Sequence, residues 1–208
     1  MNTNYEIRIC SIYKDLEGEW TKIQKVKTLD FDSNILKQEE RIGVFLEKIY
    51  EWSGYKRMEL IYRGTRDGSG ANIFHNKCDN QGPTICLYKN EKGNIFGGFT
   101  SISWSNNGED KSDPNCFIFT LTNIHNTEPT KFPNSNSSCC VYHNSTHGPY
   151  FGRDIGIYEE LINKDCCTDF PYYYKDNLSK GKSIFTGDLN NKNGYFKIKE
   201  IEVLKITK

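Results

Sequence analysis

The chain has 208 residues, 27 basic and 27 acidic, with eight cysteines and a formal net charge of zero. It is long enough for one large domain or two small ones with a real core. The balanced charge provides no global field toward nucleic acid or an anionic membrane, so either would need a local patch.

Tyr5, Ile7 and Ile9 alternate with Glu6, Arg8 and Cys10, which predicts a strand. Asp15 to Gly18 reads as a turn and Trp20 to Leu29 as a second extended piece, so the two can form a hairpin. Asp32 or Ser33 can cap a helix on which Ile42, Phe45, Leu46 and Ile49 form an apolar stripe, ended by Gly54. Fully burying each of those side chains would contribute on the order of 1.5 to 3 kcal/mol, so a charge at Phe45 threatens folding itself.

Met58, Leu60 and Tyr62 alternate with Glu59, Ile61 and Arg63, predicting a strand that ends where Gly64 frees the backbone. Ala71, Phe74 and Cys78, with His75, share a helical face after Asp67 or Ser69 as cap, and Asn80 to Gly82 can close that helix in a left-handed conformation. Thr84 to Lys89 and Ile95 to Trp104 are β-rich runs around Asn90 to Gly93, a hairpin pattern. Ser105 to Asn115 reads as surface loop and Cys116 to Leu121 as a buried strand. The composition of Asn123 to Ser138 fits an exposed, mobile insertion, and the sheet can resume at Cys139 to Tyr142.

Ile155 to Tyr158 fits a strand or one helical turn, and Tyr172 to Tyr174 is placed near Ser183 to Thr186. In Tyr195 to Ile206 the apolar phase changes from Phe196 and Ile198 to Ile201 and Val203. That predicts a bulge or strong twist near Glu200, or a strand covered on both faces.

The run Tyr62 to Gly68 (YRGTRDG), Phe74-His75, Cys78 to Asn80, Gly82 to Thr84, Ile95 to Thr100 (IFGGFT) and Trp104 resembles, in this order and spacing, the TLDc domain of the oxidation-resistance proteins. Lesser similarity extends from about Phe31 to the C-terminus through Lys111 to Pro114, Phe117 to Leu121, Gly148 to Gly152 and Ile201 to Val203. The resemblance implies an α+β fold, an antiparallel β-sandwich flanked by short helices. It divides the chain into a β extension at 1–30 and a TLDc-like domain at 31–208. It also implies a non-catalytic protein-binding module, with the vacuolar-type proton pump as partner and a role in oxidative-stress resistance, since several such proteins bind that pump and control its assembly. Asn123 to His147 is more polar and cysteine-bearing than the family pattern, and the stretch before Phe31 has no counterpart in it.

The glycine-bounded corner of Arg63, Gly64, Arg66, Asp67 and Gly68 could form an anion-binding nest but lacks a phosphate-loop lysine. The structural alternative has Asp67 capping the helix and Arg66 pairing bidentately with a carboxylate such as Glu202. An alternative function is a redox-active thiol protein or enzyme that consumes oxidants through Cys139, Cys140, Cys166 or Cys167. His75 and Cys78 read as a packed pair, and Cys139, Cys140, His143 and His147 match no common zinc spacing.

Gly97-Gly98 suggests a bulge packed under an aromatic. The sequence holds no nucleophile elbow, HExxH helix or dinucleotide fingerprint, so no catalytic residue, cofactor or metal is expected. Met1 to Tyr13 has the wrong flanks for a secretion signal, and no apolar run is long enough to span a bilayer. The expectation is a cytoplasmic monomer with mostly reduced thiols.

Overall fold

The computed structural model describes residues 32–135 and 139–208, preceded by the backbone of four short strands. Two compact units divide the chain at Asp32.

In the first unit β1 (Asn4–Ile7) pairs antiparallel with β4 (Gln24–Lys27), and β2 (Ile12–Tyr13) with β3 (Leu16–Glu17). The two extended pieces read in the sequence are therefore paired, whereas Leu16–Glu17 is strand rather than turn. Ile9 and Cys10 lie outside the described residues.

The second unit runs α1 (Ile42–Ser53), β5 (Arg57–Arg63), α2 (Gly64–Asp67), α3 (Ala71–Cys78), β6 (Thr84–Asn90), β7 (Ile95–Thr100) and β8 (Asn107–Lys111). It continues with β9 (Phe117–Thr122), β10 (Thr130–Pro133), β11 (Val141–Asn144), β12 (Asp165–Cys167), α4 (Ser183–Thr186) and β13 (Tyr195–Thr207). The architecture is α+β: a seven-stranded antiparallel sheet in the order β10-β9-β7-β6-β13-β12, with β5 also on β13, and a second ribbon of β11 and β8. The last strand is the hub, because β5, β6 and β12 all pair with it.

Period-2 patterning places the two faces. Phe117 and Phe119 of β9 meet Trp52 of α1 at ring-centroid distances of 6.3 and 5.8 Å. Ile118, between them, faces the opposite core with Phe74, Phe96, Trp104, Phe132, Phe151 and Phe185. Gly97 and Gly98 sit back to back on β7 for the same reason. A Cβ on the first would lie 2.6 Å from the Phe119 ring, and one on the second 2.6 Å from the Phe151 ring. Aromatics thus do cover these glycines. The register through them is continuous, however, and the irregularity falls at Ile95/Phe96 instead.

Helix α1 ends at Gly54, which is left-handed (φ 74°) and donates its N–H to the Tyr50 carbonyl. Ser33 caps a separate turn, accepting the Leu36 N–H at 3.0 Å, so the helix proper starts later than its capping signal. Asn80 (φ 60°) and Gly82 (φ 84°) supply the left-handed exit after α3. A register shift between Ile198 and Glu200 is the bulge expected from the phase change in β13, and residues 200–204 are buried.

Two polar stretches are more ordered than their composition suggests. Asn107–Lys111 is a strand of the exposed ribbon, and Thr130–Pro133 is an edge strand on β9 whose Phe132 is fully buried. Ile155 to Tyr158 is neither strand nor helix; it makes single bridges at Ile155 to Phe151 and at Gly156 to Cys167. Among the described residues no helix is long and apolar enough to cross a membrane.

Candidate functional site

Helix α2 turns the chain sharply at the end of β5, and a helical turn that short leaves nearly all its amide donors without partners of its own. Two carboxylates supply them. Asp67 Oδ2 accepts the Arg63 N–H at 2.9 Å, and Glu200, projecting from the bulge in β13, accepts the Thr65 N–H at 3.2 Å and the Thr65 hydroxyl. Glu200 also takes the Ile201 N–H at 3.0 Å. Tyr62 donates its hydroxyl to the Gly68 carbonyl at 2.8 Å. Gly64 packs closely under two side chains: a Cβ there would lie 2.5 Å from Ile162 Cδ1 and 2.7 Å from Ile201 Cγ2, so both would have to shift.

Beneath this turn lies a buried ion pair. Arg63 Nε donates to Glu202 Oε1 at 2.8 Å, with the glutamate side chain fully excluded from solvent and the arginine 8% exposed. The same carboxylate accepts Ser33 Oγ at 2.5 Å and the Asn34 N–H at 2.7 Å, tying the segment before α1 to the central strand. The expected Arg66 pairing is corrected here: Glu202 is served by Arg63, Ser33 and Asn34. Arg66, with its side chain half exposed, chelates its neighbour Asp67 through Nε at 3.0 Å and Nη2 at 2.8 Å. In an extended strand Arg63 stands directly opposite Glu202 across the β5–β13 ladder, whereas Arg66 has already been carried round the turn.

Asp67 carries a further correction. It closes α2 instead of capping α3, whose first N–H, at Ala71, goes to the Glu159 carbonyl at 2.9 Å. Arg66 and Lys77 hold its carboxyl well below the usual carboxylate range, the hydrogen bond from Arg66 being the largest cause and the Arg63 amide assisting. Arg63, Gly64, Arg66, Asp67, Gly68 and Glu202 are therefore brought together in one corner. The adjoining cavity, about 260 Å³, is lined by Asn34, Ile35, Gln38, Thr65, Lys89, Lys199 and Glu200. Thr65 and Glu200 superficially resemble a hydroxyl and its base, but Glu200 takes both the amide and the hydroxyl of that residue, the geometry of a helix cap. The sequence reading had Ser33 only as a candidate helix cap, Thr65 only as part of the motif and Glu200 only as the place of the phase change; it assigned none of them to this corner.

The seven described cysteines do not converge on a reactive centre. Each adjacent pair is split, by strand alternation in β12 and by the bend before β11: Cys140 and Cys166 are buried, whereas Cys139 and Cys167 are partly exposed. No disulfide joins any two of the seven described cysteines. Burial pushes the Cys166 thiol up to about 12. Cys140 is lowered, chiefly by a hydrogen bond from Cys116, but it lies in the core beside Asp113, whose N–H it accepts at 3.1 Å. Burial likewise raises Cys78 far above the ordinary thiol value. His75 is packed, its Nδ1 2.8 Å from Asp79 Oδ1 and its Nε2 2.8 Å from the Asn144 carbonyl. Burial lowers His143 to about 4, and its Nδ1 is 2.8 Å from Ser105 Oγ. Among the described residues no group of three or more His, Cys, Asp or Glu side chains is arranged to hold a metal ion.

A family model described as the TLDc domain matches residues 29–207. The chain is similar to MTOR-associated protein MEAK7 of Danio rerio, 46% identical over 62 residues, which is 30% of this chain and 14% of that protein. It is similar also to MTOR-associated protein MEAK7 of Mus musculus, 27% identical over 66 residues, 32% of this chain and 14% of that protein. The matched segments thus span about one seventh of the relatives' own length.

Proposed function

The chain belongs to the TLDc-domain family, and from that premise we propose that it is a non-catalytic protein-binding module. The observation that carries this reading is the state of the motif corner. Its charged groups face one another and the backbone, Glu202 being saturated by Arg63, Ser33 and Asn34 and Glu200 by the α2 turn. Carboxylates engaged in that way hold a sheet rigid and leave little bonding capacity for a substrate.

The partner we propose is the vacuolar-type proton pump, with oxidative-stress resistance as the downstream role and the cytoplasm as the site of action of a monomer. The short resemblance to MTOR-associated proteins makes MTOR complexes the second partner to test. The strands before Asp32 are, in this reading, a β extension added to the domain. A module of this kind shifts an assembly equilibrium only through unequal affinity for the two states. The thiol-redox alternative loses support because Cys140 and Cys166 are core residues.

Affinity capture with the full chain, probed for pump subunits and for MTOR, tests the reading. Enrichment of one of them supports it. Recovery of neither from lysates in which both assemblies are intact removes it.

A further inference from the structure

We propose that the exposed ribbon of β8 and β11 carries a recognition pocket for the methylated ammonium group of a lysine side chain on a partner protein. This rests on the binding-module reading and gives it a partner chemistry.

The pocket follows from register. Asp110 of β8 stands directly opposite Tyr142 of β11, and Tyr142 in turn bridges Tyr150 on its other side. Directly paired residues project from the same face, so Asp110, Tyr142 and Tyr150 form a row across the two strands and the bridged residue beside them. The Tyr142 and Tyr150 rings meet at 5.7 Å and 72°. A fourth group arrives over Gly152, whose left-handed backbone (φ 55°) and missing side chain admit the Tyr173 ring; a Cβ there would lie 2.6 Å from Tyr173 Cδ2. Asp110, Tyr142, Tyr150, Gly152, Arg153 and Tyr173 line an open depression of about 210 Å³. That lies below the ~300 Å³ floor for drug-sized ligands and suits a single side-chain head group.

The charges select a cation. Among the described residues the exposed Asp110 carboxylate makes no hydrogen bond or ion pair. Its neighbours Glu109 and Lys111, on the opposite face of the strand, pair with each other. Arg153, the one basic group at the pocket, is already engaged: its Nη2 lies 3.0 Å from Asp169 Oδ2 and its guanidinium 4.9 Å above the Tyr172 ring. The Asp110 charge also reaches the Tyr173 phenol, adding to the burial that raises it. Tyrosine faces attract cations through the ring quadrupole, and methyl groups let the charge shed water against them, which a bare, strongly hydrated ammonium does poorly. A mono- or dimethylated nitrogen keeps an N–H for the carboxylate.

The test is a titration of the full chain, with selectively labelled tyrosines observed by NMR, against three probes: a short acetylated peptide carrying dimethyl-lysine, the same peptide with unmodified lysine, and choline. The expected result is saturable shifts of Tyr142, Tyr150 and Tyr173, with the dimethylated peptide binding about tenfold tighter than the unmodified one. Asp110→Asn, a surface change that leaves the fold intact, should weaken it roughly fivefold. Tyr142→Leu should abolish it. Absence of tyrosine shifts, equal binding of both peptides, or affinity unchanged in Asp110→Asn overturns the pocket; choline binding as tightly as the peptide overturns the protein side chain as its ligand. Partner capture repeated with Asp110→Asn separates the two claims, because full capture alongside a failed titration removes the pocket and leaves the binding module standing.

Discussion

Replacing Arg63 by Met removes the guanidinium from a glutamate that no water reaches. The Glu202 carboxylate keeps its two neutral donors, Ser33 Oγ and the Asn34 N–H, but loses the one cation bonded to it among the described residues. Breaking one side of a buried pair costs about 3 to 5 kcal/mol, because the stranded charge retains its desolvation penalty. At roughly 2 to 4 °C per kcal/mol for a domain of this size, the midpoint should fall by about 6 to 20 °C. Arg66→Met is the matched control: its pair with Asp67 is half exposed, so the loss should stay within about 1 kcal/mol. The double variant Arg63→Met with Glu202→Gln should regain part of the deficit, since the amide removes the buried charge and keeps an oxygen for Ser33 Oγ and the Asn34 N–H. Urea and thermal melts followed by far-ultraviolet circular dichroism provide the comparison. Equal losses at Arg63 and Arg66, or a double variant less stable than Arg63→Met alone, would refute the assignment of the structural pair.

Asp154 gives a pH dependence. Burial raises its carboxyl from 3.8 to about 6, against the amides of Tyr172 and Tyr173 that stabilise its charge at 2.6 and 2.7 Å. The folded state then binds more protons than the unfolded between those values, so this residue's contribution falls as pH rises from about 4 to about 6, by on the order of 3 kcal/mol in full. Asp154→Asn should flatten the urea midpoint across that window relative to the native chain, and an unchanged slope would contradict the burial argument. Asp67 acts oppositely, because its depressed carboxyl stabilises above 3.8 and loses that contribution on further acidification. Gly97→Ala should prevent soluble folding, as its Cβ would sit 2.1 Å from the Cys86 carbonyl oxygen. Gly43→Ala, with nothing within 4 Å, should stabilise α1 by about 0.5 to 1 kcal/mol in the same melts. In a Cys10→Ser background, native-state thiol labelling should modify Cys139 and Cys167 quickly and the five buried cysteines only after denaturation; rapid labelling of Cys166 would restore the redox alternative.

Much of the β-framework was legible because its signals are local. The alternation in Met58 to Arg63, the hairpin residues Asn90 to Gly93 and the phase change at Glu200 each state a backbone geometry within a few residues. The charge pairing of the corner was not legible. Whether Arg63 or Arg66 meets Glu202 depends on the register of strands 139 positions apart and on α2 turning the chain between them. Composition misled for Thr130–Pro133 and Asn107–Lys111, since an edge strand or an exposed ribbon needs few apolar side chains once a neighbour supplies the ladder. The tyrosine pocket was invisible for a similar reason: Asp110, Tyr142, Tyr150 and Tyr173 are spread over 64 residues and converge only across strands.

The hub position of β13 bears on how the molecule is made. Because β5 and β6 both wait for a strand more than a hundred residues downstream, everything before Gly194 must leave the ribosome while two long hydrogen-bonding edges in the middle of the sheet stand open. Such late closure is slow and prone to misassociation. Nascent chains should therefore depend on chaperones until synthesis passes Thr207, and a stop codon within the final strand should be as damaging as one near the start.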